Sequence, residues 1–409
     1  MKLSHLWYWL ALALVLISYA LFIHGYKQHI LLGWVDFRSM YTAAWMVRDG
    51  AGETLYDISA QWEAFRRYSP SAEPLPFNHP PFEVPLFLPF TYLSFGRAYV
   101  TWLALNVLLV GVLAVVLTRV SAAPPGMPTL GVAAACFSFF PTAYMFLQGQ
   151  DSIFIAIGYT LAYAALRRGR EDWAGFLIGL GLYRFQLVLP VVLVFLLRRR
   201  WRVVIGFAAA CVLLGLVSLG VTGWEGALRY PQFLRELNQS QAYGVIRPEN
   251  MPNLRGQVMT LVAWRVPTLW IDAGVGLASL ASLVWVVRKW KQAETSGAVP
   301  FDLLMALTLV VTLLASYHLN LHDLVLLLLP LALVARHLVQ TRGSTRPLRR
   351  TLEITTIALF LPPVYLIPDW PDKTLVLFCL LVLFAVAIAA EVTTAGKADQ
   401  KGHEPTGAS

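Results

Sequence analysis

Charge is scarce in this sequence. Asp, Glu, Lys and Arg together make up 13% of 409 residues, against apolar residues at 57%, whereas a soluble domain carries roughly 25% charge. That excludes a soluble globular enzyme and leaves a polytopic membrane protein. Cysteine is scarcer still. Cys136, Cys211 and Cys379 all fall within apolar runs, so they read as small core residues and no disulfide framework is available. There is no glycine-rich nucleotide loop and no HExxH metal motif. No internal repeat is visible, which weighs against the inverted-repeat transporters. The net charge of +9 does not indicate a nucleic-acid partner, because Arg and Lys lie in short runs between apolar segments, the pattern of cytoplasmic loops.

Lys2 precedes an apolar run that could be a signal peptide, but the run is long and Tyr26, Lys27, Gln28 and His29 follow it instead of a small-residue cleavage site. It is expected to be a retained helix. The expected architecture is all-α and polytopic, with about ten spans. They lie near 6–23, 97–117, 129–147, 152–166, 203–221, 268–287, 301–316, 321–336, 351–367 and 374–391. Basic runs at Arg119, Arg167 to Arg170, Arg198 to Arg202, Arg288 to Lys291 and Arg336 to Arg350 mark the cytoplasmic side. By parity the 24–96 loop, Gln148 to Asp151, the 222–256 loop and Tyr317 to His322 share the extracytoplasmic face. Residues 1–391 form one transmembrane domain, and the polar 392–409 tail reads as disordered and cytoplasmic.

One stretch resists simple alternation. The segment 171–197 has basic clusters at both ends, so a straight crossing would strand one of them on the wrong side. Gly175, Gly179, Gly181 and Pro190 supply breaks, and Tyr183, Arg184 and Gln186 sit halfway. This predicts a re-entrant helical hairpin whose tip carries Arg184 inward, where irregular backbone needs protein or a wet cavity around it. A single tilted helix is the plainer alternative.

The chain is organised around Trp34 to Asp57. Asp36 lies where the first apolar run should leave the bilayer, and Met40, Ala43, Ala44 and Val47 recur at helical spacing on one face, predicting an amphipathic helix in the first outer loop. An ionisable group at that boundary is costly and usually functional. Asp36 could simply cap the helix that follows. Alternatively Trp34 and Phe37 could raise its pKa to that of a useful base. Further polar islands are Asn78 to Pro81, Gln148 to Asp151, Asn250 to Gln257 and Tyr317 to Asp323. His318 and His322 stand four apart, which on a helix places them on one face; a metal pair of this kind needs a third ligand. Capping is the plain reading for His318, while His322 beside Asp323 suits proton abstraction. Arg184 at a buried tip needs an anion, either an internal partner or a phosphate gripped in bidentate fashion.

Taken in order, these pieces resemble the polyprenyl-phosphate-dependent mannosyltransferases of glycosyltransferase family 87. The matching segments are DFRSMYTAAWMVRDG with LYD (Asp36 to Asp57), FNHPPFEVPLFLPF (Phe77 to Phe90), GQDSIFIAI (Gly149 to Ile157), Arg167 to Trp201, the Asn/Gln-rich stretch Asn250 to Gln257, and HLNLHDLVLLLLP ending at Pro330. The family often has Lys-Pro where this chain has Arg184-Phe185, which keeps the charge, and Tyr-Pro-Pro in place of His79-Pro80-Pro81. The resemblance implies the type C glycosyltransferase fold in a bacterial inner membrane. It also implies an inverting transfer of a sugar, mannose, from a polyprenyl-phosphate donor to an acceptor hydroxyl of a glycolipid or glycan on the extracytoplasmic face. Asp36 matches the usual candidate base, with His322 as the second. Arg38, Tyr41, His79, Gln150, Asp151, Arg184, Gln186, Asn253, Arg255 and His318 are the candidate substrate contacts. No cofactor and no metal ligand set is expected, although a divalent metal stays open.

Two other classes compete. A transporter or lipid flippase would use the same intramembrane charges as a path, but it predicts polar groups on both sides, whereas here they cluster on one. A scaffold without catalytic power would have lost the base, which Asp36 argues against. The topology is testable by cysteine accessibility in intact cells: positions 36, 151, 240 and 322 are expected to label from outside. Labelling of position 240 from the cytoplasm alone contradicts this arrangement.

Overall fold

Uninterrupted apolar runs and scarce strand-forming alternation lead to helices throughout. The computed structural model describes residues 3–32, 35–69, 75–120, 122–239, 247–296, 300–342, 348–366 and 374–402, and among them every regular element is helical. The chain opens with α1 (Leu3–Gly25) and the short α2 (Lys27–Leu31). The first loop carries α3 (Phe37–Arg48) and α4 (Ile58–Arg66), then two 3-10 turns, Pro81–Leu86 and Leu88–Tyr92. Next come α5 (Phe95–Arg119), α6 (Thr129–Ser138), α7 (Phe140–Gln148) and α8 (Ser152–Arg167). They are followed by α9 (Glu171–Gly179), α10 (Phe185–Leu197), α11 (Trp201–Gln239) and α12 (Leu254–Val262). The C-terminal third holds α13 (Thr268–Ser296), α14 (Phe301–Ala315), a 3-10 helix Leu321–Leu327 leading into α15 (Leu328–Gln340), α16 (Arg349–Ala358), α17 (Pro363–Leu366) and α18 (Leu375–Gly402).

This is a membrane protein. Among the described residues, five helices are long and apolar enough to span a bilayer, and up to seven if the bent pairs α6/α7 and α9/α10 each count as one. About ten were expected. Three of the expected spans correspond to shorter apolar helices: Leu12–Gly25, α8 and α14. Helix α14 shows why a short apolar helix suffices, since Leu303 to Leu313 are all buried. A helix apolar all round belongs inside the bundle. The expected span at 351–367 is broken into α16 and α17, because Pro362 and Pro363 interrupt it and Pro removes a helical hydrogen bond and clashes with the preceding turn. The expected end at 391 also moves: α18 continues through the apolar-to-polar transition to Gly402. The remainder of the 392–409 tail lies outside the described residues, as does 240–246 of the 222–256 loop.

The first part of that loop is the far half of α11, which runs past residue 221 to Gln239 and breaks its helical geometry at Gly223, with φ +67°. Glycine suits this point because it occupies positive φ without a Cβ clash. Beyond the break, Tyr230 and Phe233 pack on Tyr56 of the first loop, and the Tyr230 hydroxyl donates to Asn78 O at 3.2 Å. The loop is thereby covered by α11.

The pair α9/α10 is bent by 64° at Leu180–Gly181. Arg200 Nη1 lies 2.9 Å from Glu171 Oε1, and Arg202 Nη2 lies 3.7 Å from Asp172 Oδ1. Arg200 follows α10 and Arg202 belongs to the first turn of α11, so these ion pairs join the start of α9 to the α10–α11 junction, with Arg184 in the turn between α9 and α10. Helix α11 then packs on α9 through glycines. A Cβ on Gly206 would lie 1.8 Å from Asp172 O, and one on Gly175 would lie 1.8 Å from Val203 O. Small residues allow the backbone approach on which membrane helix packing depends.

Gly206→Leu is expected to prevent recovery of folded protein from detergent extracts, because overpacking a site with no space costs about 1–3 kcal/mol or more. Gly215→Leu is the paired comparison: a Cβ there meets nothing within 4 Å, so monodisperse yield on size-exclusion chromatography should match the parent chain.

Candidate active site

The site begins with an aromatic clasp. Phe37 is fully buried, and its ring meets Phe87, Phe95, Tyr99 and Trp102 at centroid distances of 5.9 to 6.2 Å. Beneath it lies the turn that ends α7. Gly149 there has φ +63°, and a Cβ would sit 2.8 Å from Phe37 Cβ, so only glycine lets α3 approach this closely. Trp102 Nε1 donates to Gly149 O at 2.8 Å, and the Tyr99 hydroxyl donates to Phe146 O and Leu147 O at 3.0 Å. Apolar packing and buried backbone hydrogen bonds thus fix Asp36, just before Phe37, against Gln150, just after Gly149.

The Asp36 side chain does not cap α3. Its Oδ2 instead accepts from Gln150 Nε2 at 2.8 Å, and its amide N donates to Gln148 Oε1 at 3.2 Å. Gln150 Oε1 in turn accepts from Arg184 Nη2. Arg184 is 4% exposed and pairs with Asp151 Oδ1 at 2.9 Å, while its Nε lies 3.8 Å from Asp323 Oδ1. The anion demanded by Arg184 therefore includes two carboxylates of the chain itself. Asp323 is held by a capping box, accepting from Asn320 N at 2.9 Å, and by Ser152 Oγ at 3.3 Å.

A polar cavity of about 310 Å³ opens at this network. Its wall includes Asp36, Ser39, His79, Gln150, Arg184, Gln186, Arg235 and His318. A second cavity of about 310 Å³ adjoins it and is lined chiefly by apolar residues of α8 and α9, with Glu83, Asp151 and Tyr183 at its polar end. Tyr183 belongs to both walls. Six of the residues expected from the sequence thus share the polar cavity: Asp36, His79, Gln150, Arg184, Gln186 and His318. Asp151 reaches the second cavity.

Other expected residues serve elsewhere. Tyr41 is buried and its hydroxyl donates to Leu93 O at 2.8 Å, so it ties α3 to the first loop. Asn253 caps α12, accepting from Gly256 N at 2.8 Å, and its Nδ2 donates to Ser316 O at 2.8 Å. Arg255 pairs with Asp272 at 2.9 Å and lies 4.0 Å over the Tyr317 ring. Arg38 is half-buried off the cavity wall, its charge favouring the ionised form of Asp36. His318 and His322 do not share a helix face: His318 precedes the helical turn that starts at Leu321, and its Nε2 meets Asn320 Nδ2 at 3.0 Å. His322 is buried off the cavity wall, 3.6 Å from Asp323 Oδ1 and stacked at 6.4 Å on Tyr144. Trp34 lies outside the described residues.

Glu83 and Arg235 were not anticipated. Glu83 stands among prolines, and its one sequence signal is the four-residue spacing from His79, to whose Nδ1 its Oε2 lies 2.6 Å away. Arg235 reaches the cavity only because α11 continues past Gly223.

The model of glycosyltransferase family 87 matches residues 77–317, more than half of the chain. The chain belongs to glycosyltransferase family 87. No curated protein and no solved structure matches it. Family 87 membership makes this membrane protein a glycosyltransferase acting on a sugar donor and an acceptor, and it decides against the transporter reading.

The electrostatics of this candidate site follow from burial. Desolvation pushes the Asp36 carboxyl up, opposed by the Gln150 hydrogen bond and by the charges of Arg38 and Arg184. Desolvation lowers His79 and His318 to about 4, so both rings are neutral near pH 7. It raises Glu83 to about 7 and, together with the neighbouring Glu83 charge, Asp151 to about 6.

Gln150 stabilises the charged form of Asp36, so its loss should raise that pKa further. If Asp36 is the base, it works only when ionised, and glycosyl transfer should fall as pH drops through its pKa. In Gln150→Met this acid limb is expected at higher pH than in the parent enzyme. A limb that stays in place while only protein yield falls would make Gln150 purely structural.

Proposed function

We propose that this enzyme transfers mannose from a polyprenyl-phosphate donor to an acceptor hydroxyl of a glycolipid or glycan, with inversion, on the extracytoplasmic face of a bacterial inner membrane. The observation that carries this reading is the pair of adjoining cavities. The polar one presents a carboxylate and Arg184 to a sugar, and the apolar one offers Phe154, Ile155, Leu161, Leu177 and Ile178 to a hydrocarbon chain. A sugar joined through phosphate to a polyprenyl tail has this sequence of chemistries.

Asp36 takes the proton of the acceptor hydroxyl as that oxygen attacks the anomeric carbon. Desolvation makes it a stronger base than an exposed Asp. Gln150 holds its orientation. The leaving group is a phosphate, which departs without protonation once its growing charge is met. Arg184 faces it, but its guanidinium is already engaged by Asp151, so further positive charge is needed. Arg235 on the same wall supplies part of it. The type C glycosyltransferase fold fits the helical bundle and the large first outer loop.

The deciding experiment offers purified enzyme either a polyprenyl-phosphate mannose or a nucleotide-linked mannose. Transfer is expected from the lipid donor alone, and Asp36→Asn should reduce it by roughly 100-fold or more while the folded yield is kept. Transfer from the nucleotide sugar in preference to the lipid would overturn the donor assignment, and near-parental turnover in Asp36→Asn would remove Asp36 as the base.

A further inference from the structure

The junction of the two cavities has an excess of negative charge. Asp36, Glu83, Asp151 and Asp323 gather around Arg184, and the last three are each at most 4% exposed. Burying carboxylates without compensation costs several kcal/mol each, so each needs a donor, a proton or a cation. Arg184 serves one oxygen of Asp151, and Asn320 and Ser152 serve Asp323. Glu83 Oε1 and Asp151 Oδ2 are shielded from solvent and receive no donor from the rest of the protein, so the two facing carboxyls must share a proton or a cation.

Those two residues belong to a three-residue set. Among the described residues, His79, Glu83 and Asp151 place one ligand atom each within 4.8 Å of one another. His79 lies on the wall of the polar cavity, and Glu83 and Asp151 on that of the apolar one. Glu83 stands on the turn Pro81–Leu86, which contains Pro81 and Pro85, His79 just precedes that turn, and Asp151 follows the Gly149 turn clamped by Trp102.

We propose that His79, Glu83 and Asp151 bind a divalent metal ion of the Mg²⁺ or Mn²⁺ class at the junction of the two cavities. Two carboxylates and one imidazole are a hard, oxygen-rich donor set, with water or substrate oxygen completing the coordination. Asp151 can bind through Oδ2 while Oδ1 stays with Arg184. The ion places positive charge where the polar cavity meets the apolar one, which is where a lipid-linked phosphate would lie. That catalytic role rests on the donor reading above, whereas occupancy of the site does not.

The test uses full-length protein in detergent micelles, stripped with chelator and titrated with Mn²⁺ in the absence of any donor, with free ion followed by electron paramagnetic resonance. One saturable Mn²⁺ per chain is expected, displaced by Mg²⁺. Glu83→Gln and Asp151→Asn should each weaken it by more than about 10-fold, while the surface change Glu63→Gln should leave it unaltered. A wild-type measurement covers the case in which the variants do not fold: pulsed resonance should detect nitrogen coupling from His79 to the bound Mn²⁺. Absence of a saturable site, unchanged affinity in both carboxylate variants, or bound Mn²⁺ without nitrogen coupling would each overturn the assignment. None of these results bears on which donor is used, so the metal site and the donor reading can fail separately.

Discussion

A guanidinium taken out of water sets the terms for the rest of this molecule. Arg184 sits in the turn between α9 and α10, and its partners come from distant parts of the chain: Asp151 from the start of α8, Gln150 from the Gly149 turn, and Asp323 from the capped turn before α15. Removing one member of such a buried pair costs about 3–5 kcal/mol, because the other is left charged and unsolvated. The bundle must therefore deliver three chain segments to one point. The glycine contacts of α9 with α11 and the ion pairs of the start of α9 with Arg200 and Arg202 hold the turn in place.

The clasp around Phe37 performs the matching task for Asp36. Aromatic packing is worth a fraction of a kcal/mol to about 1.5 kcal/mol per pair beyond area burial, and Phe37 makes several such contacts at once. The energy is spread over rings, yet its effect is local, because Gly149 admits the close approach of α3 and Gln150 follows directly. Carboxylate, amide and guanidinium then form one chain of hydrogen bonds, Asp36 to Gln150 to Arg184. A carboxylate and a cation linked through an amide can each bias the other's charge, a coupling that low local dielectric strengthens.

Charge balance separates the roles of the cavity's cations. With Asp151 and Asp323 beside it, Arg184 acts first as an internal counterion, and a phosphate-linked donor of the kind proposed would meet a region already rich in carboxylates. Additional positive charge from Arg235, or from the metal ion proposed at His79, Glu83 and Asp151, would reconcile that region with such a donor. The apolar cavity next to it makes the same point from the other direction, since a hydrocarbon tail there would hold its phosphate at the carboxylate-lined end.

The sequence by itself determined the helical membrane class, a helix in the first loop directly after Asp36, and the family. Each of these rests on composition, periodicity or ordered motifs, which are local properties of the chain. Where Arg184 would sit could be argued from basic clusters at both ends of one short segment, because charge placement carries topological information. What the tertiary structure alone decided was partnership. Tyr41, Asn253 and Arg255 read as site residues because they are polar near a boundary, but burial assigns their polar atoms to structural hydrogen bonds and an ion pair. Glu83 and Arg235 went unread for the opposite reason: a turn containing two prolines and a helix continuing beyond a glycine break bring them to the cavities, and the four-residue spacing of Glu83 from His79 is the one sequence signal between them. A side chain's type is written in the sequence, but whether it meets a carboxylate, a carbonyl or open cavity depends on long-range packing, and that contact sets its charge and its chemistry.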